Sequence, residues 1–343
     1  MTSAPAPDHD DRAEPVLHVE DLHVTYESAR RNTKPVLAVD GVSFDLAAGE
    51  VLALVGESGC GKTSIARAVL RLMKPSGGRI VFQGRDITTM SPKELRPVRA
   101  GMQMVFQDPY ESLDARQTVF DLVAEPLAIH GRHPEKEERR EAVLTALERA
   151  GLHPAEEIAK RYPHHLSGGQ RQRVALASAM VLEPSLVVAD EPVSMLDVSL
   201  RAGILRLMLE LRERRNLAYL FITHDLSLAW VVADRIAVVY LGRIVEVGPA
   251  ADVIGNPRHP YTKALVSVIP VPEAGAIEEQ IVLSGETPSA RSVPSGCRFH
   301  PRCWRYEALG RPEACVTKDP SLEDPHHGTA CHFPLEEEKV GSA

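Results

Sequence analysis

Two short segments combine residue types and spacings that could hold phosphate and work on it. Gly56–Thr63 reads GESGCGKT and fits G-x-x-x-x-G-K-[ST]. Glycines at Gly56, Gly59 and Gly61 let the backbone curl, so that the N–H groups of Glu57, Ser58, Cys60 and their neighbours point at phosphate oxygens. A following helix, opening near Ser64, adds its positive end. In that pattern Lys62 reaches the outer phosphates and Thr63 ligates Mg²⁺. The alternative is a chance glycine-rich turn. Ser185–Glu191, SLVVADE, sets four apolar residues before two acids. After a P-loop, such a strand places Asp190 on Mg²⁺ and Glu191 where a general base takes a proton from water. A core strand ending in exposed acids is the bland reading.

Leu166–Gln170, LSGGQ, is followed by the helical run RQRVALASAM. It is a second glycine-rich helix start suited to phosphate. Here the chain resembles the ABC ATPases, whose signature is this pentapeptide. The resemblance implies a P-loop NTPase fold of the α/β class, with a RecA-like core, a helical subdomain and a small Cys-rich C-terminal extension. It also implies two cassettes face to face, with each ATP lying between one P-loop and the opposite signature. Ser167, Gly168, Gly169 and Gln170 then serve the partner's nucleotide. Further motifs of the resemblance follow in order. Tyr26 stands where family members stack a ring on adenine, with strand packing the plainer alternative. Gln107 matches the glutamine that contacts Mg²⁺ or the water, Ser194–Asp197 (SMLD) the D-loop with Met195 where Ala is usual, and His224 the switch histidine. Catalysis is thereby expected from Glu191, His224, Gln107 and Lys62, on ATP and Mg²⁺.

FQDPYESLDAR, YLGRIVEVGP, HPYTKALVSVIPVP and GCRFHPRC resemble the ATPase subunits of oligopeptide/dipeptide-type importers; nickel importers keep the same ATPase pattern. That implies a second, similar ATPase subunit, two permeases, an extracytoplasmic binding protein and a seat on the cytoplasmic face of the membrane. A soluble ABC ATPase acting on ribosomes or DNA is the competing class. The single P-loop, the single signature and the absence of a heptad run count against it.

Four of the five cysteines, Cys297, Cys303, Cys315 and Cys331, fall in the last 47 residues. Their spacing matches neither zinc ribbons nor common ferredoxin runs and supports only a four-Cys metal site. The resemblance favours a [4Fe–4S] cluster, with Zn²⁺ second, over free thiols. Cys60, beside Lys62 and a helix start, has a setting that favours thiolate, although any small residue fits there.

The elements that must position these groups alternate. Strands are expected over Val16–Thr25, Val36–Phe44, Val51–Val55, Ser185–Ala189 and Ala218–Thr223. Helices are expected over Ser64–Leu72, Glu135–Ala150, Arg171–Leu182 and Ile204–Arg214. Strand–helix alternation points to a largely parallel sheet. Residues 1–14 read as a disordered lead-in without a secretion signal, 15–254 as the ATPase with a helical lobe over about 110–170, and 255–343, where prolines recur, as a linker and Cys-bearing tail. A net charge of −8 with 47 acidic against 39 basic residues argues against a general nucleic-acid binder. No apolar run approaches the ~18 residues of a membrane helix, so the chain is expected in the cytoplasm with other proteins supplying the membrane span.

Overall fold

The computed structural model describes residues 14–27, 34–108, 112–269 and 280–336. The lead-in over residues 1–13 and residues 109–111, just after Gln107, lie outside these. Two sheets share the work. A four-stranded antiparallel sheet has the order β2 (Val36–Leu46), β1 (Leu17–Tyr26), β4 (Gly77–Phe82), β5 (Arg85–Asp86). The larger sheet has the order β11 (Gly328–Thr329), β10 (Arg243–Pro249), β9 (Arg235–Tyr240), β3 (Val51–Val55), β8 (Ala218–Thr223), β7 (Leu186–Asp190), β6 (Met102–Val105). Strands β9, β3, β8, β7 and β6 run parallel, and β10 and β11 close one edge antiparallel.

The sequence of β3 shows why it sits at the centre. VLALV is apolar throughout, and every residue is at most 2% exposed. Successive side chains point to opposite faces. Val51, Ala53 and Val55 join the cluster that includes the helical lobe, while Leu52 and Leu54 join the cluster under the antiparallel sheet. Burial of each Val or Leu contributes about 2 kcal/mol. One strand thus ties the two cores together, and an aspartate at Leu54 would leave a charge buried on the second face.

Helices α1 (Lys62–Val69) and α2 (Pro92–Arg99) precede β6. Between β6 and β7 come α3 (Val119–Ile129), α4 (Lys136–Arg149), α5 (Ala155–Ala159) and α6 (Gly168–Met180). Helix α7 (Val198–Arg215) leads to β8, and α8 (Leu226–Val232) to β9. Helix α3 opens with Thr118 and Asp121 in a reciprocal capping box, which satisfies donors that a helix start otherwise leaves unpaired. Helices α9 (Ala250–Gly255) and α10 (Pro260–Val266) follow β10, and short helices α11 (Trp304–Ala308) and α12 (Ala314–Thr317) lie in the tail. The tail is built onto the core. Phe299 is 1% exposed and its ring packs on Tyr240 and Tyr261, and Gly328–Thr329 pairs with β10.

Candidate nucleotide site

Four neighbouring parallel strands end at one edge, and each releases a candidate residue there. Val55 of β3 pairs with Thr223 of β8, Ile222 of β8 with Asp190 of β7, and Ala189 of β7 with Val105 of β6. Gly56, His224, Glu191 and Gln107 lie one or two residues beyond those ends. The carboxyl edge of a parallel sheet is where ligands bind in open α/β folds. A cavity of about 770 Å³ opens there, lined by the P-loop together with Tyr26, Ser64, Gln107, Glu191 and His224.

The P-loop takes its shape from close backbone approach. Gly61 has φ 108°, and a Cβ there would lie 2.2 Å from the Ala38 carbonyl. A Cβ on Gly56 would lie 2.2 Å from the Val239 carbonyl. Only glycine fits either place. Lys62 is 5% exposed and curls back over the loop, its Nζ donating to the carbonyls of Gly56 (2.7 Å) and Glu57 (2.9 Å). Thr63 Oγ1 donates to Asp190 Oδ1 at 3.3 Å. Burial, partly offset by that bond, pushes the Asp190 carboxyl above the usual carboxylate range. Thr63, Asp190 and Gln107 offer hard oxygen donors of the kind Mg²⁺ prefers, and the Thr63–Asp190 pairing fits such an ion.

Glu191 is the hub. Gln107 Nε2 donates to one carboxylate oxygen at 3.1 Å, and His224 Nδ1 lies 3.1 Å from the other. Its backbone is left-handed, φ 47°, held by its N–H donating to Ile222 O at 2.9 Å. A non-glycine residue there is strained, and such strain gathers at functional positions. Tyr26, Val36, Ala38, Leu265 and Ala290 also line the cavity. The Tyr26 hydroxyl bonds Ser64 Oγ at 3.1 Å.

The signature segment is elsewhere. Ser167, Gly168, Gly169 and Gln170 are not among the described residues lining this cavity. Ser167 caps α6, accepting from Gln170 N at 3.3 Å, while Gln170 Oε1 accepts from Ser167 N at 3.0 Å. Gln170 thus has a local capping task.

The five cysteines are free thiols, Cys60 buried and the four of the tail half-buried. Cys60 is 2% exposed, and burial outweighs the pull of Lys62 and raises its thiol above the ordinary range. It packs as a small buried residue, with Lys62 Nζ 3.6 Å from its Sγ. In the tail, Cys297, Cys303, Cys315 and Cys331 come within electrostatic reach of one another. Yet among the described residues no group of three or more His, Cys, Asp or Glu side chains is placed to hold a metal ion. The sulfurs have other uses: Cys297 and Cys303 pack against the main core, and Cys303 Sγ accepts from Tyr306 N to cap α11. Burial and the neighbouring sulfurs push Cys297 up to about 12 and Cys331 up to about 11. Nothing in this placement supports a [4Fe–4S] or Zn²⁺ centre.

Sequence reasoning missed the tail's share in the site. Tyr261, fully buried, accepts from the Glu57 backbone N–H at 3.1 Å. Arg302 Nη1 contacts both Glu57 carboxylate oxygens, at 3.0 and 3.1 Å. No local spacing signals a pairing across 245 residues.

Comparison with known proteins matches this geometry. Residues 39–194 match the ABC transporter family, and residues 245–308 match the oligopeptide/dipeptide transporter C-terminal region. The oligopeptide transport ATP-binding protein AppF of Bacillus subtilis is 47% identical over 309 residues, covering 89% of this chain and 92% of its own. A Brucella ovis protein assigned to peptide import as an ATP-binding protein is 46% identical, over 92% of this chain and 97% of that one. Among solved structures, the dimeric post-hydrolysis state of the ATP-binding cassette MJ0796 with ADP and Pi superposes with a TM-score of 0.61 at 28% identity, over 68% of this chain and 98% of that one. The cbiO1 protein of Clostridium perfringens, part of the transporter complex cbiONQ, gives 0.62 at 30% identity, over 71% and 92%.

Proposed function

The chain belongs to the ATP-binding subunits of oligopeptide and dipeptide ABC transporters, and from that membership we propose that it hydrolyses ATP to drive peptide import through a membrane complex. The observation that carries the chemistry is the convergence of Lys62, Thr63, Glu191, Gln107 and His224 on one cavity, with Asp190 bonded to Thr63 behind it. Phosphoryl transfer needs positioning and charge neutralisation more than covalent chemistry. The Lys62 ammonium and the P-loop backbone N–H groups, other than those of Glu57 and Cys60 that are bonded within the chain, cradle the phosphates. Thr63 and Asp190, with Gln107, hold Mg²⁺, which supplies charge neutralisation when bound. Glu191 takes the proton of the attacking water; Gln107 and His224 fix its two oxygens so that one lone pair faces the water. Tyr26 and its apolar neighbours take the base.

In this reading residues 15–254 are the motor and 255–343 an extension of it. Ser167–Gln170 face the nucleotide of a second, similar ATPase subunit, and two permeases and an extracytoplasmic binding protein complete the importer. No described helix is long and apolar enough to cross a membrane, so permeases bring the chain to the cytoplasmic face as a peripheral subunit. The transported solute is chosen outside this chain, and nickel or another small solute is the other cargo consistent with the motor. The iron–sulfur and zinc readings of the tail take no part. Glu191→Gln is the test: ATP binding stays within a few-fold, while hydrolysis by the assembled complex falls about a thousandfold. A near-normal rate removes Glu191 as base. Capture of that variant with ATP from native membranes is expected to bring two permeases and a second ATPase. Ribosomal or DNA factors in their place would favour a soluble ABC ATPase.

A further inference from the structure

Glu57 presents a problem of charge. It is the second residue of a loop whose N–H groups are aimed at anions, and its carboxylate would repel phosphate if left alone. The chain answers from its far end. Arg302, 9% exposed, places Nη1 3.0 and 3.1 Å from the two Glu57 oxygens. The Thr287 hydroxyl donates to the same carboxylate and lies 3.1 Å from that Nη1. Tyr261 holds the Glu57 backbone N–H. A second arginine of the tail grips the rear of the loop. Arg298, 7% exposed, donates to Leu241 O and pairs with Asp40. The adjoining Gly242 receives Asp40 N–H on its carbonyl and donates its own N–H to the Cys60 carbonyl, at 2.9 and 2.8 Å. The tail also supplies Leu265 and Ala290 to the wall of the cavity.

We propose that Arg302 is a positioning residue of the nucleotide site: the C-terminal extension clasps the P-loop, neutralising Glu57 and fixing it away from the phosphates. The inference rests on the reading of the cavity as an ATP site and adds the tail to its binding machinery. Without Arg302, the Glu57 carboxylate keeps the Thr287 hydroxyl but has no counter-charge beside the polyanion. At an effective dielectric near that of a protein surface, such a repulsion weakens ATP binding about tenfold. The effect depends on the Glu57 charge, so it vanishes when that charge is removed.

The test is calorimetric titration of Mg·ATP into the full-length chain, in a Glu191→Gln background that holds the nucleotide intact. Arg302→Gln is expected to raise Kd about tenfold, and adding Glu57→Gln to it to restore most of the affinity. Arg302→Lys, which keeps the charge and loses the fork, is expected to fall between. A role in folding alone would lower the melting temperature, leave the Kd of the folded fraction at the parental value, and show no rescue by Glu57→Gln; that result overturns the proposal. So does an Arg302→Gln Kd equal to the parent's while Lys62→Ala still loses ATP, which leaves the site standing without its clasp. Lys62→Ala binding ATP as the parent does would remove the site itself, and the clasp with it.

Discussion

Two glycine-rich helix starts in this chain look alike in sequence and differ in what they leave unsatisfied. The P-loop helix begins at Lys62 after Gly61, which has no side chain to cap it. Its first N–H groups therefore remain donors toward the cavity. The α6 helix begins after Ser167, and Ser167 and Gln170 close a reciprocal capping box over its start. The P-loop is also enclosed: Lys62 is buried, Gly61 is backed by Ala38, and two arginines of the tail hold Glu57 and Leu241. The Ser167 segment contributes nothing to the cavity among the described lining residues. One start is built to grip an anion within its own chain. The other is locally self-sufficient, as suits a surface that meets its ligand only when a partner arrives.

The sharpest way to break this contrast is to remove the grip. Lys62→Ala deletes an ammonium already desolvated and held over the loop by two carbonyls. A charge-assisted hydrogen bond of about 2–3 kcal/mol is lost, so ATP affinity of the single chain is expected to fall about a hundredfold. Titration with Mg·ATP measures it. A loss of twofold or less would mean that backbone donors alone hold the phosphates.

Ser167→Ala probes the other start, with a smaller expected effect. The cap is worth about 1 kcal/mol of helix stability, seen as a modest drop in melting temperature. The single chain's affinity for ATP is expected to stay at the parental value, whereas turnover by the assembled transporter falls about tenfold, since a hydroxyl is missing from the opposite nucleotide. Measuring both on one preparation decides the matter. Weakened binding by the isolated chain would place Ser167 in its own site and dissolve the distinction.

What could be read in the sequence follows the same division. Strands Val51–Val55 and Ala218–Thr223 were legible because the first is an apolar run between Glu50 and Gly56 and the second an apolar run that ends at His224. Asp190, Glu191 and His224 followed, since a strand end fixes where the next residue points. Helix α7 starts at Val198, six positions before the expected Ile204; β-branched Val198 and Gly203 blur the helical pattern, while Asp197 caps the true start. The tail was least legible. Its prolines suggested a linker, but Tyr261 and Phe299 are core residues and Arg302 belongs to the P-loop. Such long-range pairing leaves no period in the sequence. The cysteines were harder to read: their number suggested a metal, whereas the packing shows Cys297 and Cys303 against the core and Cys303 capping a helix.

The tail's hold on the loop also carries a pH dependence. His259 is fully buried, and burial pushes its imidazole down to about 3. Its Nδ1 accepts from Tyr261 N at 3.0 Å, so the neutral ring with the proton on Nε2 is the folded form. Glu246, buried beside it, accepts from the backbone N–H groups of Arg258 and His259, at 2.7 and 2.9 Å. In the unfolded chain the imidazole titrates near 6.5. The unfolded state thus binds one more proton between pH 6.5 and 3, and the stability contributed by neutral His259 is complete above that window and lost as pH falls through it. The slope approaches about 1.4 kcal/mol per pH unit from this one group. Because His259 opens the helix that carries Tyr261 to Glu57, acid is expected to loosen the clasp before it reaches the Ser167 helix. Hydrogen exchange at pH 7 and pH 5 measures this, with faster exchange over residues 259–267 than over 168–180 at the lower pH. His259→Asn, which keeps a side-chain acceptor without a titrating ring, should flatten the pH dependence of the melting temperature. A variant with the parent's slope would assign the acid sensitivity to the carboxylates and free the tail from it.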